Sequence, residues 1–314
     1  MVIILGIEST AHTFGAALLD GETFLSNVKD SFTSEEEGMI PAAVADHHIR
    51  VLSDVLSKAL QGRTDIEVIA YSASPGLGHT LRIGAAAARA LAKKFGAKLV
   101  GVNHCIAHLE IGKKETTAKD PVFLYASGVN TQVIAFHEGK FRIFGETLDM
   151  GVGNFLDSFG RKKGLGFPAG PKIEALAKKG TKLIDLPYSV KGMDTSFGGL
   201  LTKIETLNEP LEDVCYSVQE TVFAMLVEVC ERALAFTGKN ELLLGGGVAC
   251  NKRLQDMCSS MCKARGAIFH VPANEFLVDN AAMIAWLGKV TYEKGNTVSI
   301  EQAGINPYER TDEV

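Results

Sequence analysis

Residues 2–28 and 121–147 follow one plan, and this internal duplication restricts the fold more than any other feature of the chain. Each stretch reads as strand, Ser-rich turn, strand, X-Gly turn, strand. An offset of 118 aligns Ser9 with Ser127, Thr13 with Thr131 and Gly21 with Gly139. Apolar alternation closed by Asp20-Gly21 and Glu138-Gly139 is the pattern of antiparallel hairpins. No short-period repeat accompanies it, so a solenoid is excluded.

The duplication continues beyond each β-meander. A helix at about 39–60 follows the first, and helical segments between about 152 and 237 follow the second. Then IEVIAYSASPGLG leads into TLRIGAAAARALAKKF, and ELLLGGGVACN leads into KRLQDMCSSMCKA. Short strands at 98–102 and 268–271 precede a last helix in each half, from Asn103 and from about Val278. Each half is therefore βββαβα. Buried strands alternating with helices predict mixed sheets covered on both faces. Two such lobes related by a pseudo-twofold axis are the architecture of actin, hexokinase and the Hsp70 ATPase domain, the ASKHA superfold. The expected division is 1–119 for lobe one and 120–294 for lobe two, with 295–314 returning to lobe one. Lobe two carries an insertion at about 152–208, expected to cover a nucleotide cleft between the lobes.

His104 and His108, in NHCIAHLEIG, are the sharpest chemical signal. At i and i+4 on a helix they share a face and can bind one metal ion, although helical histidine pairs are also often structural. The duplicated position in lobe two holds Asp279, in FLVDNAAMIAW. Pseudo-symmetry would aim this aspartate from one lobe at the two histidines of the other. Aspartate is also a strong N-cap, and cap and ligand can coexist because they use different lone pairs. Two imidazoles and a carboxylate suit Fe(II) or Zn(II) and leave positions for solvent or substrate. A zinc-protease reading fails because Cys105, not Glu, follows the first histidine.

Three further stretches could meet a ligand. The turn in YASGVNTQV (125–133) can cradle phosphate with backbone N–H groups, or it is simply a tight hairpin. In LLLGGGVACN, Gly245 to Gly247 admit a flat ligand or tight strand–helix packing, and Asn251 opens the next helix. In NFLDSFGRKKGLGFPAGPKIEALA, Asp157 lies on a helix, Gly170-Pro171 breaks the chain, and Glu174 is expected in the first turn of the next helix. Two carboxylates there can bind ribose hydroxyls or serve as caps and surface groups.

Charge and cysteine content narrow the setting. Net charge is −5, whereas a protein holding nucleic acid alone would carry a basic excess. Residues 160–205 depart from this with nine Lys/Arg against four Asp/Glu, a local net of +5 that leaves −10 on the remainder. Such a stretch is a solvated surface or a patch that faces a polyanion. The six cysteines include no C-x-x-C pair and most fall in apolar helical patterns, as in a reduced cytoplasmic protein. No apolar run reaches the roughly 18 residues of a membrane span. The start, MVIILGIEST, lacks a basic n-region, so no signal peptide is expected.

Taken together, GIESTAHTFG, SPGLGHTLRIGAAAARALA, NHCIAHLEIG, YASGVNTQV, NFLDSFGRKKGLGFPAGPKIEALA, LLLGGGVACNKRL and VDNAAMIAW resemble the TsaD (Gcp) group. They lie in order along nearly the whole chain. The AHTFG stretch at 11–15 is similar to the archaeal–eukaryotic branch, the catalytic subunit of the KEOPS complex. The resemblance implies a transferase that moves threonylcarbamoyl from threonylcarbamoyl-AMP to the exocyclic amine of the adenosine 3′ of the anticodon, in tRNAs reading codons that start with A. It implies one Fe(II), or Zn(II), on His104, His108 and Asp279, with the Tyr125 phenol near or on it. It implies adenylate binding, by substrate, ATP or AMP, at Tyr125, Ala126, Ser127, Gly128, Val129, Asp157, Gly170, Glu174 and Asn251. His12 is the candidate general base. The implied partners are tRNA, a small dimerisation subunit at the helix near 39–60, a small protein kinase that in some archaea is fused at the C-terminus, and an accessory subunit. Val129 replaces the family's second glycine, so the turn there is in the α or β region or its contact differs. Two other classes remain: an ASKHA phosphotransferase with Glu8 as base and Mg(II), and a non-catalytic nucleotide-binding scaffold.

Overall fold

The computed structural model describes residues 2–35 and 39–314. The chain divides into two compact units. Unit 1 comprises Met1–Thr33, Met39–Ile111 and Asp279–Val314; unit 2 comprises Ser34–Gly38 and Gly112–Val278.

Unit 1 is built on β1 (Ile3–Glu8), β2 (Thr13–Asp20), β3 (Thr23–Ser31), β4 (Val68–Ser74) and β5 (Lys98–Asn103), in sheet order β3-β2-β1-β4-β5. The β1–β2 and β2–β3 pairs are antiparallel, whereas β1–β4 and β4–β5 are parallel. Every residue of β1 is buried, because helices cover both faces. Ile3, Leu5 and Ile7 join Val55 and Leu56 of α1 (Pro41–Leu60) and Ala85 and Ala88 of α2 (Gly78–Phe95) in one core. The alternate residues face α10 (Ala281–Glu293), which packs on β1, β2, β4 and β5. Two glycines permit that approach. A Cβ on Gly6 would lie 2.5 Å from Ala281 O and Ala285 N, and one on Gly288 would lie 2.2 Å from Ala70 Cβ.

Unit 2 repeats the topology. Its sheet, β6 (Val122–Ala126), β7 (Thr131–His137), β8 (Lys140–Glu146), β11 (Glu241–Gly245) and β12 (Ile268–His270), has the order β12-β11-β6-β7-β8. The 27-residue α7 (Leu211–Thr237) supplies much of the core, with α8 (Lys252–Arg265) beside it. The expected insertion at 152–208 forms α4 (Val152–Lys162), α5 (Gly170–Ala177), the pair β9 (Val190–Lys191) and β10 (Asp194–Thr195), and α6 (Gly198–Glu205). It packs within unit 2 as α5 on α7 and β10 on β8. The Asp149 carboxylate ties it down by accepting from Ser196 Oγ, Phe197 N and Gly198 N at 2.6–3.0 Å. Partial burial opposes its ionisation, but these donors hold its pKa down at about 2.

The βββαβα reading of both halves matches these sheets, with three differences. Residues 112–119 group with unit 2, and Asp279–Lys294 groups with unit 1 rather than with the second half. The cause is α10, a helix buried from Ala281 to Gly288 on most of its positions, which packs on the unit 1 sheet. A short α9 (Asn274–Leu277) precedes it, so the last helix starts three residues later than the sequence pattern suggests. Among the described residues no helix is long and apolar enough to cross a membrane. All six cysteines are free, and all but Cys250 are buried.

Candidate metal centre and the turn after β6

Asn103 ends β5 and caps the next helix, α3 (His104–Glu115): its Oδ1 accepts from Cys105 N at 2.9 Å and Ile106 N at 3.2 Å. Placing His104 and His108 in the first turns of α3 stacks their rings edge to face, with centroids 4.8 Å apart. Asp279 Oδ1 lies 3.4 Å from His104 Nε2 and 3.3 Å from His108 Nε2. The three candidate ligand atoms fall within 4.8 Å of one another. The histidines are buried, and the Asp279 side chain is 14 % exposed. Separations of this size between donor atoms suit a small ion with bonds of about 2.0–2.2 Å to each.

The sequence correctly placed Asp279 with the two histidines, but for the wrong geometric reason. It stands in unit 1 with them, carried by the turn before α10, and does not come from the other unit. Nor is it the cap of α10. Asn280 takes that role, accepting from Met283 N at 3.0 Å, so the Asp279 carboxylate serves the histidines alone as far as capping is concerned.

Glu8 completes the cluster. At the end of β1 it is fully buried, and its Oε2 accepts from His104 Nδ1 at 3.0 Å. Oε1 accepts from Thr10 N at 2.6 Å and Thr10 Oγ1 at 2.5 Å. A carboxylate on Nδ1 fixes the imidazole so that Nε2 is presented to an ion, the usual second tier of a metal site. Sequence reasoning considered Glu8 only as a phosphotransferase base. The signal for its actual place was a carboxylate at the end of an otherwise apolar strand, where burial demands a partner. His12 lies beside the cluster, with Nδ1 3.9 Å from Asp279 Oδ2 and its side chain 33 % exposed. Lys29 Nζ, also missed, donates to the Asp279 carbonyl at 3.2 Å.

Electrostatics agrees with this set of donors. Burial disfavours a charged His104, but the Glu8 and Asp279 carboxylates outweigh it and raise the pKa well above the ordinary value. Burial pushes His108 down, with the His104 charge adding to it against Asp279. Burial also opposes ionisation of Asp279, yet His104 and His108 hold its pKa well below the usual range. The carboxylate and the two imidazoles are thus electrostatically linked, and a divalent ion bound among them would compete with protons for the same atoms.

The remaining predicted residues lie in unit 2. Tyr125, at the end of β6, is 1 % exposed and stacks on Phe123. Ala126 is buried beneath the turn that follows. That turn is closed by Ser127 N to Asn130 O at 2.9 Å and Asn130 N to Ser127 Oγ at 3.2 Å. The start of α4 docks on it, with Gly153 N to Ser127 O at 3.0 Å and Asn154 N to Gly128 O at 2.8 Å. Val129 avoids the left-handed region and is 58 % exposed, so valine is tolerated without backbone strain. Gly246 flanks the turn at φ +88°, where a Cβ would lie 2.4 Å from Ala126 O; here the glycine is obligatory. Asp157 Oδ1 accepts from Ala169 N at 2.8 Å, which brings it to the start of α5 at Gly170. Glu174 lies one turn further along α5 than expected, because the helix begins at Gly170, and Lys178 pairs with it at 3.0 Å. Asn251 caps α8, its Oδ1 accepting from Arg253 N at 2.9 Å, while its Nδ2 donates to Gln219.

The basic stretch is less bare than its composition suggested. Lys162 pairs with Glu205, Lys172 with Glu35, Lys178 with Glu174 and Lys182 with Glu209.

Solved structures similar in fold define the class of this architecture. HypF of T. kodakarensis superposes with a TM-score of 0.65 at 15 % identity, over 93 % of this chain and 48 % of that one. The activator of 2-hydroxyisocaproyl-CoA dehydratase from Clostridium difficile, solved with ADPNP, gives 0.56 at 12 % identity, over 95 % of this chain and all of that one. At these identities the likeness is one of fold, and the fold is the ASKHA nucleotide-binding class. The family is narrower. The model for TsaD, tRNA N6-adenosine threonylcarbamoyltransferase, matches residues 23–286, and the chain belongs to that family. A Methanosarcina mazei protein named "Probable bifunctional tRNA threonylcarbamoyladenosine biosynthesis protein" is 52 % identical over 99 % of this chain, which spans 58 % of that relative's length. Proteins named tRNA N6-adenosine threonylcarbamoyltransferase from Thermococcus kodakarensis and Methanocella arvoryzae are 52 % and 49 % identical, and the chain covers 98 % and 97 % of them.

Proposed function

We propose that this chain transfers the threonylcarbamoyl group from threonylcarbamoyl-AMP to the exocyclic amine of the adenosine 3′ of the anticodon, in tRNAs reading codons that start with A. The observation that carries the proposal is the cluster of His104, His108 and Asp279 with Glu8 on His104 Nδ1, found in a member of this family. A phosphotransferase would keep Glu8 open to substrate, whereas here both its oxygens are occupied and it is fully buried. A scaffold would have no use for a buried, oriented donor set.

His104, His108 and Asp279 would hold one Fe(II), or Zn(II). Such an ion supplies a Lewis acid for the carbamoyl carbonyl or for the substrate's anionic groups. In unit 2, the Ser127–Val129 turn would take the phosphate of the adenylate on its backbone. Asp157, Gly170, Glu174 and Asn251 would receive the ribose and base. The adenosine amine attacks the carbamoyl carbon, the new N–C bond forms, and the C–O bond to AMP breaks. His12, beside Asp279 and partly open to solvent, is the candidate to take the amine proton. Arg161, Lys162 and Lys163 would face tRNA phosphates, with most affinity coming from KEOPS partners because the chain as a whole is acidic. Those partners are the dimerisation subunit at α1, where Ile49 and Ile40 just before the helix are exposed, the small protein kinase and the accessory subunit, all in the cytoplasm.

The test is transfer from threonylcarbamoyl-AMP to tRNA in the reconstituted complex. His104→Ala should abolish it while the protein stays folded. Wild-type transfer by metal-free His104→Ala protein would refute the proposal.

A further inference from the structure

We infer that Glu309, in the C-terminal tail, is a positioning residue for the metal centre: it orients Asn103, and through Asn103 the first turn of α3 from which His104 projects. This rests on the metal-centred reading above. Glu309 Oε2 accepts from Asn103 Nδ2 at 3.1 Å and also from Ser74 Oγ. Asn103 and Ser74 are buried. The other end of the Asn103 amide accepts from the N–H groups of Cys105 and Ile106, on either side of which lie His104 and His108.

The chemistry of these groups admits one arrangement. A carboxylate only accepts and a backbone N–H only donates, so an asparagine held between them must turn its NH₂ to Glu309 and its oxygen to the helix. Without the carboxylate only the two N–H groups hold the amide, its Nδ2 end loses its anchor, and the cap on α3 loosens. His104 is the first residue of that helix, so its ring depends on this cap as well as on Glu8.

Glu309 is not needed to retain the tail. Tyr71 OH donates to Gly304 O at 3.0 Å, Asn306 N to Ala73 O at 2.9 Å and Gly76 N to Pro307 O at 3.2 Å, and Val298 bridges to Leu99. Beyond these, the Glu309 carboxylate adds the contacts to Asn103 and to Ser74.

The experiment uses Co(II) as probe, titrated by its visible absorption into wild type, Glu309→Ala, Glu309→Gln and Ser74→Ala, with hydrogen exchange read at the Cys105 and Ile106 amides. Second-tier partners of metal ligands are worth about 10–100-fold in metal affinity. Glu309→Ala should weaken Co(II) binding by about tenfold and speed exchange at both amides. Glu309→Gln, which can still accept from Asn103, should restore both. Ser74→Ala, which loses only a contact on the strand side, should leave both as in wild type. Unchanged affinity in Glu309→Ala overturns the inference, as does an equal loss in Ser74→Ala, which would make Glu309 a tail anchor. A loss of affinity with exchange unchanged overturns the route through Asn103. If wild type takes up no Co(II), the metal reading fails separately, and exchange at Cys105 and Ile106 alone decides whether Glu309 sets the turn.

Discussion

His48 should make this protein acid-sensitive in a way that one substitution removes. It lies fully buried on α1, edge-on to Phe14 with ring centroids 5.6 Å apart and to His47 at 5.8 Å. Neither ring nitrogen makes a well-aligned hydrogen bond, although the Val44 and Thr13 carbonyls lie near enough to act on the ring. Burial, aided by the His47 charge, lowers its pKa from 6.5 to about 4, against weaker opposing pulls from the Val44 and Thr13 carbonyls and from Glu8. Between those values the unfolded chain binds a proton that the folded chain refuses, so stability falls as pH falls from about 6.5 towards 4. Treating His48 as a single site, the loss between pH 7 and pH 5 is about 2 kcal/mol, and the full shift is worth about 3 kcal/mol. That is a large part of a typical stability of roughly 5–15 kcal/mol. The assay is urea unfolding at pH 7, 6 and 5 for wild type and His48→Leu. The variant should lose about 2 kcal/mol less than wild type over this range. His104, whose folded pKa is raised, contributes with the opposite sign, but it is common to both proteins and cancels. Equal pH slopes for the two proteins would refute the reasoning.

Two further substitutions probe packing and ligand contact. Gly6→Ala puts a methyl 2.5 Å from backbone atoms of Ala281 and Ala285, which cannot yield unless α10 moves. It should cost about 1–3 kcal/mol in thermal unfolding and lower metal content by shifting Asp279; a variant with normal stability and metal would contradict the packing argument. Glu174→Ala should weaken ATP or AMP binding by about 1–3 kcal/mol in calorimetry, the range for a lost charged hydrogen bond, and unchanged affinity would make it a surface residue paired with Lys178.

The parts of this molecule legible in the sequence are those set by local chemistry. The β-meanders announced themselves because alternation and X-Gly turns act over a few residues, and both sheets follow that reading. The His104–His108 pair was visible because helical spacing alone places two imidazoles on one face. What stayed hidden depends on pairs distant in sequence. An apolar helix such as α10 does not state which sheet it will cover; only Gly6 and Gly288, each against a partner far away, admit it to the sheet of unit 1. The duplication therefore misled the assignment of Asp279, since the repeat predicts equivalent positions, not which unit each helix joins. Glu8 was read by its class rather than its neighbours, and its bond to His104 spans 96 residues. Asn103 and Glu309, 206 residues apart, look like an ordinary helix start and an ordinary charged tail until the fold joins them.

Metal analysis of the purified protein, wild type beside Asp279→Asn, tests the central claim most directly. The account predicts close to one equivalent of iron or zinc in wild type and a near-complete loss in the variant, because Asp279 Oδ1 is the atom that both histidine Nε2 atoms approach. Wild-type protein that takes up neither metal, or an Asp279→Asn variant that keeps its full complement, would contradict it.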